Sequence, residues 1–188
     1  SLDEKSSIEV WSAPIVLLAV KPQQLHEVVN VSSQANLSNS SPQLLISVLA
    51  GVSISSLQKA FPQHLCVRAV PNAPAFVGAG LTGLSWGKGF TEPLKNKVKS
   101  LFIPVGEVLE LSEDQLDAFL ALTSSGPAYI ALISEALADG AVAAGLPRTL
   151  AGYLAHRTIA GTAELLNNKK LHPGQVKDMV TSPSGTTI

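Results

Sequence analysis

The chain has 188 residues, of which 46% are apolar and only 14% charged, with a formal net charge of −1. Without a block of like charge it lacks the electrostatic footprint for nucleic acid or an anionic membrane, and its longest apolar run, 13–20, is too short to span a bilayer. Cys66 has no second cysteine to pair with, and no signal peptide opens the sequence; both features fit a protein of the reducing cytoplasm. So little solvating surface at this length points to a well-buried α/β core and to apolar surface held in a subunit interface, hence an obligate oligomer.

In chain order, residues 14–20 form a continuous apolar run bounded by prolines, as expected for a parallel strand buried on both faces. Lys21 and Pro22 end it, and Pro22 suits the first turn of a helix through Val29. The Ser/Asn-rich stretch 30–41 reads as helix end and loop. A second strand is expected at 44–49, a turn at Ala50-Gly51, a short helix over 53–61 and a third strand at 65–70. Gly78, Gly80, Gly83, Gly87 and Gly89 surround an expected antiparallel edge strand at 81–86. Thr91 as cap and Pro93 in the first turn predict a helix to about Phe102, then a strand near 105–111. The alternation is that of the second half of a doubly wound sheet.

After Glu110 the pattern becomes all helical. Ser112 to Gln115 form a capping box opening a helix to Leu122; further helices are expected over 127–145, 147–167 and 173–181. The fold class is therefore α/β: a partial doubly wound, Rossmann-like sheet over 1–111, followed by an all-helical domain over 112–188. No G-x-G-x-x-G turn precedes residue 14, and Thr186-Thr187-Ile188 reads as the opening of another helix. The chain reads as an internal piece of a larger protein.

Three turns follow the carboxyl ends of the expected parallel strands, where open α/β sheets bind ligands: Ala19-Val20-Lys21-Pro22, Ala50-Gly51, and Val70-Pro71-Asn72-Ala73-Pro74. Each is also an ordinary tight turn, but three on one edge make a plausible nicotinamide floor. Two hydroxyl-rich segments, Ser124-Ser125-Gly126-Pro127 and Ser182-Pro183-Ser184-Gly185-Thr186-Thr187, stand as helix mouths whose unpaired N–H groups suit a small carboxylate; helix capping is their plainer role. His26, His64, His156 and His172 have no metal-ligand spacing, and Glu135 with Asp139 reads as a solvated patch or interface contact. No acid/base constellation emerges, and hydride delivery to an already protonated imine needs none.

Taken together, Ala19-Val-Lys-Pro22, Ala50-Gly-Val-Ser-Ile54, Arg68-Ala-Val-Pro-Asn-Ala-Pro74, Ser125-Gly-Pro-Ala-Tyr129, Ala138-Asp-Gly140 with Gly145-Leu-Pro-Arg148, and His172-Pro-Gly-Gln175 leading to Thr187 resemble the pyrroline-5-carboxylate reductase family. That family reduces a cyclic imino acid to L-proline with NADPH or NADH. The resemblance implies a partial dinucleotide-binding domain over 1–111 and a truncated dimerisation and substrate domain over 112–188. It implies a cofactor surface at Ala19, Val20, Lys21, Pro22, Val48, Leu49 and Ala50, with Asn72 near the nicotinamide. It implies a substrate site at Met179, Ser182, Gly185, Thr186 and Thr187, the Thr187 hydroxyl acting on carboxylate and ring nitrogen, and a homodimer or a higher oligomer such as a decamer. Ser184 and Ser124 stand where the family pattern usually has glycine. Two alternatives remain. One is an oligomerisation module only; the other is a β-hydroxyacid-type dehydrogenase, against which Lys169, Lys170 and Lys177 are poorly placed for catalysis.

Overall fold

A computed structural model describes residues 10–34 and 43–187, and the chain divides into two compact units, Ser1–Pro127 and Ala128–Ile188. The first contains strands β1 (Ile15–Leu18), β2 (Gln43–Ser47), β3 (His64–Val70), β4 (Gly80–Trp86) and β5 (Gly106–Glu110), with helices α1 (Leu25–Ser33), α2 (Ile54–Ala60), α3 (Glu92–Phe102) and α4 (Leu116–Thr123). Helix α5 (Gly126–Ala143) begins in the first unit and continues into the second, which also holds α6 (Arg148–Lys169) and α7 (Pro173–Val180). The loop expected between α1 and β2 lies outside the described residues at 35–42, as does Ile188.

The five strands lie in chain order in one sheet, with β1, β2 and β3 parallel, β3 and β4 antiparallel, and β4 and β5 parallel. The strand at 81–86 is antiparallel, but it is not an edge, because the α3 crossover returns β5 alongside it. Pairing of β4 with β5 begins backbone on backbone: a Cβ on Gly106, at φ +144°, would fall 2.0 Å from the Gly80 carbonyl oxygen, so no other residue fits.

The apolar runs of β2 and β3 become strands buried on both sides because each face has its own core, whereas β1, expected to be buried likewise, ends the strand order and leaves Leu17 exposed. On one face Val16, Leu18, Leu45 and Cys66 pack with Trp11, Leu57 and Phe61. On the other, Leu44, Ile46, Val67, Ala69 and Leu84 pack with Val98 of α3. Burial pushes the Cys66 thiol up to about 11, which leaves it an inert packing group. At the far end of the sheet Trp86 donates its Nε1–H to Glu110 at 2.6 Å, and the Lys95 ammonium lies 5.8 Å from its ring centre.

A charged residue interrupts the first of these cores. Arg68, in the middle of β3, is 4% exposed. Its Nη2 lies 3.0 Å from Asp117 and its Nη1 3.7 Å from Glu113, while the same Glu113 oxygen accepts the Ile54 N–H at 2.6 Å. One ion cluster thus joins the sheet, the start of α2 and the approach to α4. Removing the carboxylates strands a buried cation, whereas removing the arginine frees two carboxylates that already touch solvent. The double variant Glu113→Ala/Asp117→Ala is therefore expected to lose about 3 kcal/mol or more of stability, and more than Arg68→Met, in urea titrations.

His64 is also buried, wedged edge-on against Trp11 and Phe61, and neither ring nitrogen has a hydrogen-bond partner among the described residues. Burial lowers its pKa from the usual value. The unfolded chain then binds a proton more readily than the folded one, so stability is complete above the unfolded histidine value of about 6.5 and declines as pH falls through it. Urea midpoints measured from pH 7.5 to 5 should fall in the wild type and flatten in His64→Leu.

The second unit has little core of its own. Its buried positions are small, with Ala138, Ala151 and Ala155 packed together, and Arg148 pairs with Asp139 at 2.5 Å. Tyr129, Leu132, Ile133, Tyr153, Met179 and Val180 are all at least half exposed. The segment Glu113–Ala143 is, by length and composition alone, apolar enough to cross a membrane, although the turn at Ser124-Ser125 divides it. Its apolar positions are interspersed with small and polar residues, which is why no long apolar run appears in the sequence.

Candidate active site

The topology sets three strand ends side by side. Leu18, Ser47 and Arg68 share one row of the sheet, so the turns after β1 and β2 leave at one height and β3 runs two residues further. Ala19, Val20, Lys21 and Pro22, then Val48, Leu49 and Ala50, then Asn72, all fall on this edge. Every residue expected at a cofactor surface is therefore gathered on one side of the first unit, at the carboxyl ends of parallel strands.

Within that set the roles differ. Ala19, Lys21, Pro22 and Ala50 are exposed. Leu49 sends its side chain into the core, so its backbone is the part available at the edge; its N–H donates to Ser47 Oγ at 3.3 Å. Gln24 locks the first turn by accepting the Lys21 N–H at 3.1 Å and donating its own N–H to the Lys21 carbonyl at 2.9 Å. Gly51 has φ +72° and open space where a Cβ would stand, which keeps the second turn bare. Asn72 is anchored at both ends of its amide. Its Oδ1 accepts the Leu81 N–H at 2.8 Å, and its Nδ2 donates to the Thr123 carbonyl at 3.0 Å.

The first hydroxyl-rich segment is the two-residue break between α4 and α5. Ser124 has φ −92°, an ordinary right-handed value, and its N–H donates to the Leu120 carbonyl at 2.9 Å. A serine there carries no conformational penalty.

The expected substrate residues lie in the second unit, on and after α7. Met179 is exposed in the last turn of the helix. His172 caps its start, its Nδ1 accepting the Gly174 N–H at 3.1 Å while its own N–H donates to Gln175 Oε1 at 2.8 Å. This capping role is absent from the sequence reading, although His-Pro-Gly-Gln carries its signal. Beyond Thr181 the chain turns at Ser182 to Gly185, with the Gly185 N–H donating to the Ser182 carbonyl at 2.9 Å. A Cβ on Gly185 would sit 2.5 Å from Ser182 Oγ and 3.0 Å from the Ser182 carbonyl oxygen, so any larger residue needs that hydroxyl to turn away. Ser184 sits at φ +59°, the left-handed region. Thr186 and Thr187 form no hydrogen bond among the described residues and are exposed.

A family model described as pyrroline-5-carboxylate reductase dimerisation matches residues 113–188. A pyrroline-5-carboxylate reductase from Synechocystis sp. is 51% identical over 175 residues, spanning 93% of this chain and 64% of that protein. The solved structure of a pyrroline-5-carboxylate reductase from Coxiella burnetii is 35% identical with a TM-score of 0.83, covering 100% of this chain and 68% of that one. The chain belongs to the pyrroline-5-carboxylate reductase family. A Plasmodium falciparum pyrroline carboxylate reductase with NADP bound is 30% identical, with a TM-score of 0.84 over 96% of this chain and 68% of that one. The chain spans about 64% of the length of the first curated reductases it matches.

Against the reductase family pattern, one of the two serine departures is costly. A left-handed non-glycine residue costs roughly 1–2 kcal/mol, so Ser184→Gly should relieve strain in the turn that Gly185 closes, while the β-branched Ser184→Val should worsen it. Amide exchange at Gly185 is expected to slow in the first variant and quicken in the second.

Proposed function

We propose that this chain is the central part of an enzyme that reduces 1-pyrroline-5-carboxylate to L-proline with NADPH, or with NADH, in the last step of proline biosynthesis. The observation that carries the reading is the single bare edge formed by three strand-end turns, in a chain of this family. A nicotinamide would meet small or backbone groups there: Ala19, Val20, Lys21, Pro22, Val48, the Leu49 backbone and Ala50. These residues suit the nicotinamide and ribose end of the cofactor, since Ala50 and Gly51 leave the backbone uncovered. They include no glycine-rich turn for a pyrophosphate. We assign that part to sequence outside this chain, pairing along the edge of β1 that has no partner strand among the described residues, where Leu17 is 57% exposed.

When bound, the reduced nicotinamide supplies the hydride. The chain's own task is to hold the imino acid and keep its ring nitrogen protonated. Ser182, Gly185, Thr186 and Thr187 would present backbone N–H groups and hydroxyls to the carboxylate, Met179 would flank the ring, and the Thr187 hydroxyl would face the ring nitrogen. The functional boundary is placed at 111/112, with a cofactor domain before it and a dimerisation and substrate domain after it.

The exposed apolar side chains of the second unit support self-association, and we assign them to a homodimer interface, with a decamer as the higher assembly, in preference to a bilayer. The protein is placed in the cytoplasm, with no nucleic-acid or membrane partner.

The test uses the protein extended at both ends by its native flanking sequence. That protein should oxidise NADPH in the presence of 1-pyrroline-5-carboxylate, and Thr187→Ala should lower kcat/KM by about 10- to 100-fold, the equivalent of one hydrogen bond to a charged group. Unchanged turnover and substrate affinity in Thr187→Ala would remove Thr187 from the site. A folded, oligomeric, extended protein without activity would overturn the reading.

A further inference from the structure

Asn72, expected beside the nicotinamide, has its amide oxygen and one of its two amide N–H groups engaged within the first unit. The acceptor oxygen takes the Leu81 N–H at 2.8 Å, where β4 begins, and the amide nitrogen donates at 3.0 Å to the carbonyl of Thr123, the last residue of α4. The backbone carbonyl of Asn72 also accepts the Ala75 N–H at 3.1 Å, which closes the short 3-10 turn after the third strand end. The Thr123 carbonyl belongs to a helix end, where carbonyls lack intrahelical donors. The next two residues are Ser124 and Ser125. A single side chain therefore ties the third strand-end turn of the cofactor edge to the hydroxyl-rich turn that opens α5, all within the first unit.

We propose that Asn72 is a positioning residue: it acts as a clasp holding the Ser124–Ser125 turn beside the third strand end, and does not act as a ligand contact. The assignment rests on the cofactor edge proposed above. A side chain with its oxygen and one N–H committed at good length gains nothing by turning to a ligand, because each bond given up would leave a partly buried backbone group unpaired. Asparagine is the residue the geometry demands, since it offers one acceptor and one donor in a single plane. Aspartate keeps the first and loses the second.

Two substitutions separate the halves of the clasp. In Asn72→Asp the Leu81 amide keeps its acceptor, while carboxylate oxygen faces carbonyl oxygen at Thr123. In Asn72→Ala both bonds are lost. Amide exchange, which needs no activity, reads this directly. Leu81 should exchange at least tenfold faster in Asn72→Ala only, and Ser124, whose N–H donates to the Leu120 carbonyl at 2.9 Å, should exchange faster in both variants. Retained protection at Ser124 in both would overturn the clasp.

The extended, active protein then tells positioning from ligand contact. A clasp predicts kcat reduced about tenfold or more, an enlarged isotope effect with NADPH deuterated at the transferring position, and KM for NADPH within threefold of wild type. A direct contact predicts the reverse, a raised KM for NADPH with kcat and isotope effect kept, and would overturn the proposal. If the extended wild type fails to reduce the imino acid, the proposed function falls, while the exchange experiment still decides the clasp.

Discussion

A guanidinium buried in the middle of β3 is the constraint around which the first unit is arranged. Arg68 shares its row of the sheet with Ser47 and faces the apolar interior, so its charge is tolerable only while carboxylates come to it. Glu113 and Asp117 arrive from the segment after β5, and Glu113 also holds the first amide of α2. The arrangement recruits the beginning of the helical half of the sequence into the sheet unit. It explains why the compact unit extends past the last strand to Pro127, although the residue pattern turns helical near 111.

That recruitment has a mechanical sequel at the opposite end of α4. The helix is pinned near its start by Arg68 and at its last carbonyl by Asn72, both on or just after β3. A short helix held at two points by one strand has little freedom to tilt, so the Ser124–Ser125 turn inherits the rigidity of the sheet. The second unit shows the opposite economy. Its interior is built of alanines, which bury little apolar area each, and its large side chains remain outside. Helices of this kind gain their stability from what they pack against, which is consistent with a family model named for dimerisation.

Much of the architecture was legible in the sequence because it depends on local signals. Strands β1, β2 and β3 follow from apolar runs bounded by proline or glycine, and the helix starts follow from Ser53, Ser112 and Pro173, each within a few residues of its observed place. The misreading of β4 as an edge had a different origin. Edge or interior position depends on the strand brought alongside by the α3 crossover, and nothing in residues 81–86 encodes that neighbour. The strand-end turns were legible for the reverse reason, since a parallel arrangement alone puts them on one side. Interactions spanning long stretches of chain were not. Arg68 finds Asp117 49 residues later and Asn72 finds Thr123 51 residues later. An arginine between Val67 and Ala69 was nevertheless a sign that an opposite charge had to be found elsewhere. Ser184 was noticed as a departure from the family, but only its backbone angle explains why glycine is the usual choice there.

The aromatic side chains are divided between the units in a way that makes each separately visible. Both tryptophans belong to the first unit, Trp11 stacked on Phe61 in the core and Trp86 bonded to Glu110 at the far end of the sheet. Both tyrosines, Tyr129 and Tyr153, belong to the second and stand largely in the open. Red-edge excitation thus illuminates the sheet alone, whereas phenol absorbance belongs to the helical half. With no label attached, the two halves carry distinct optical signatures, and loss of order in one can be timed against the other in a single sample.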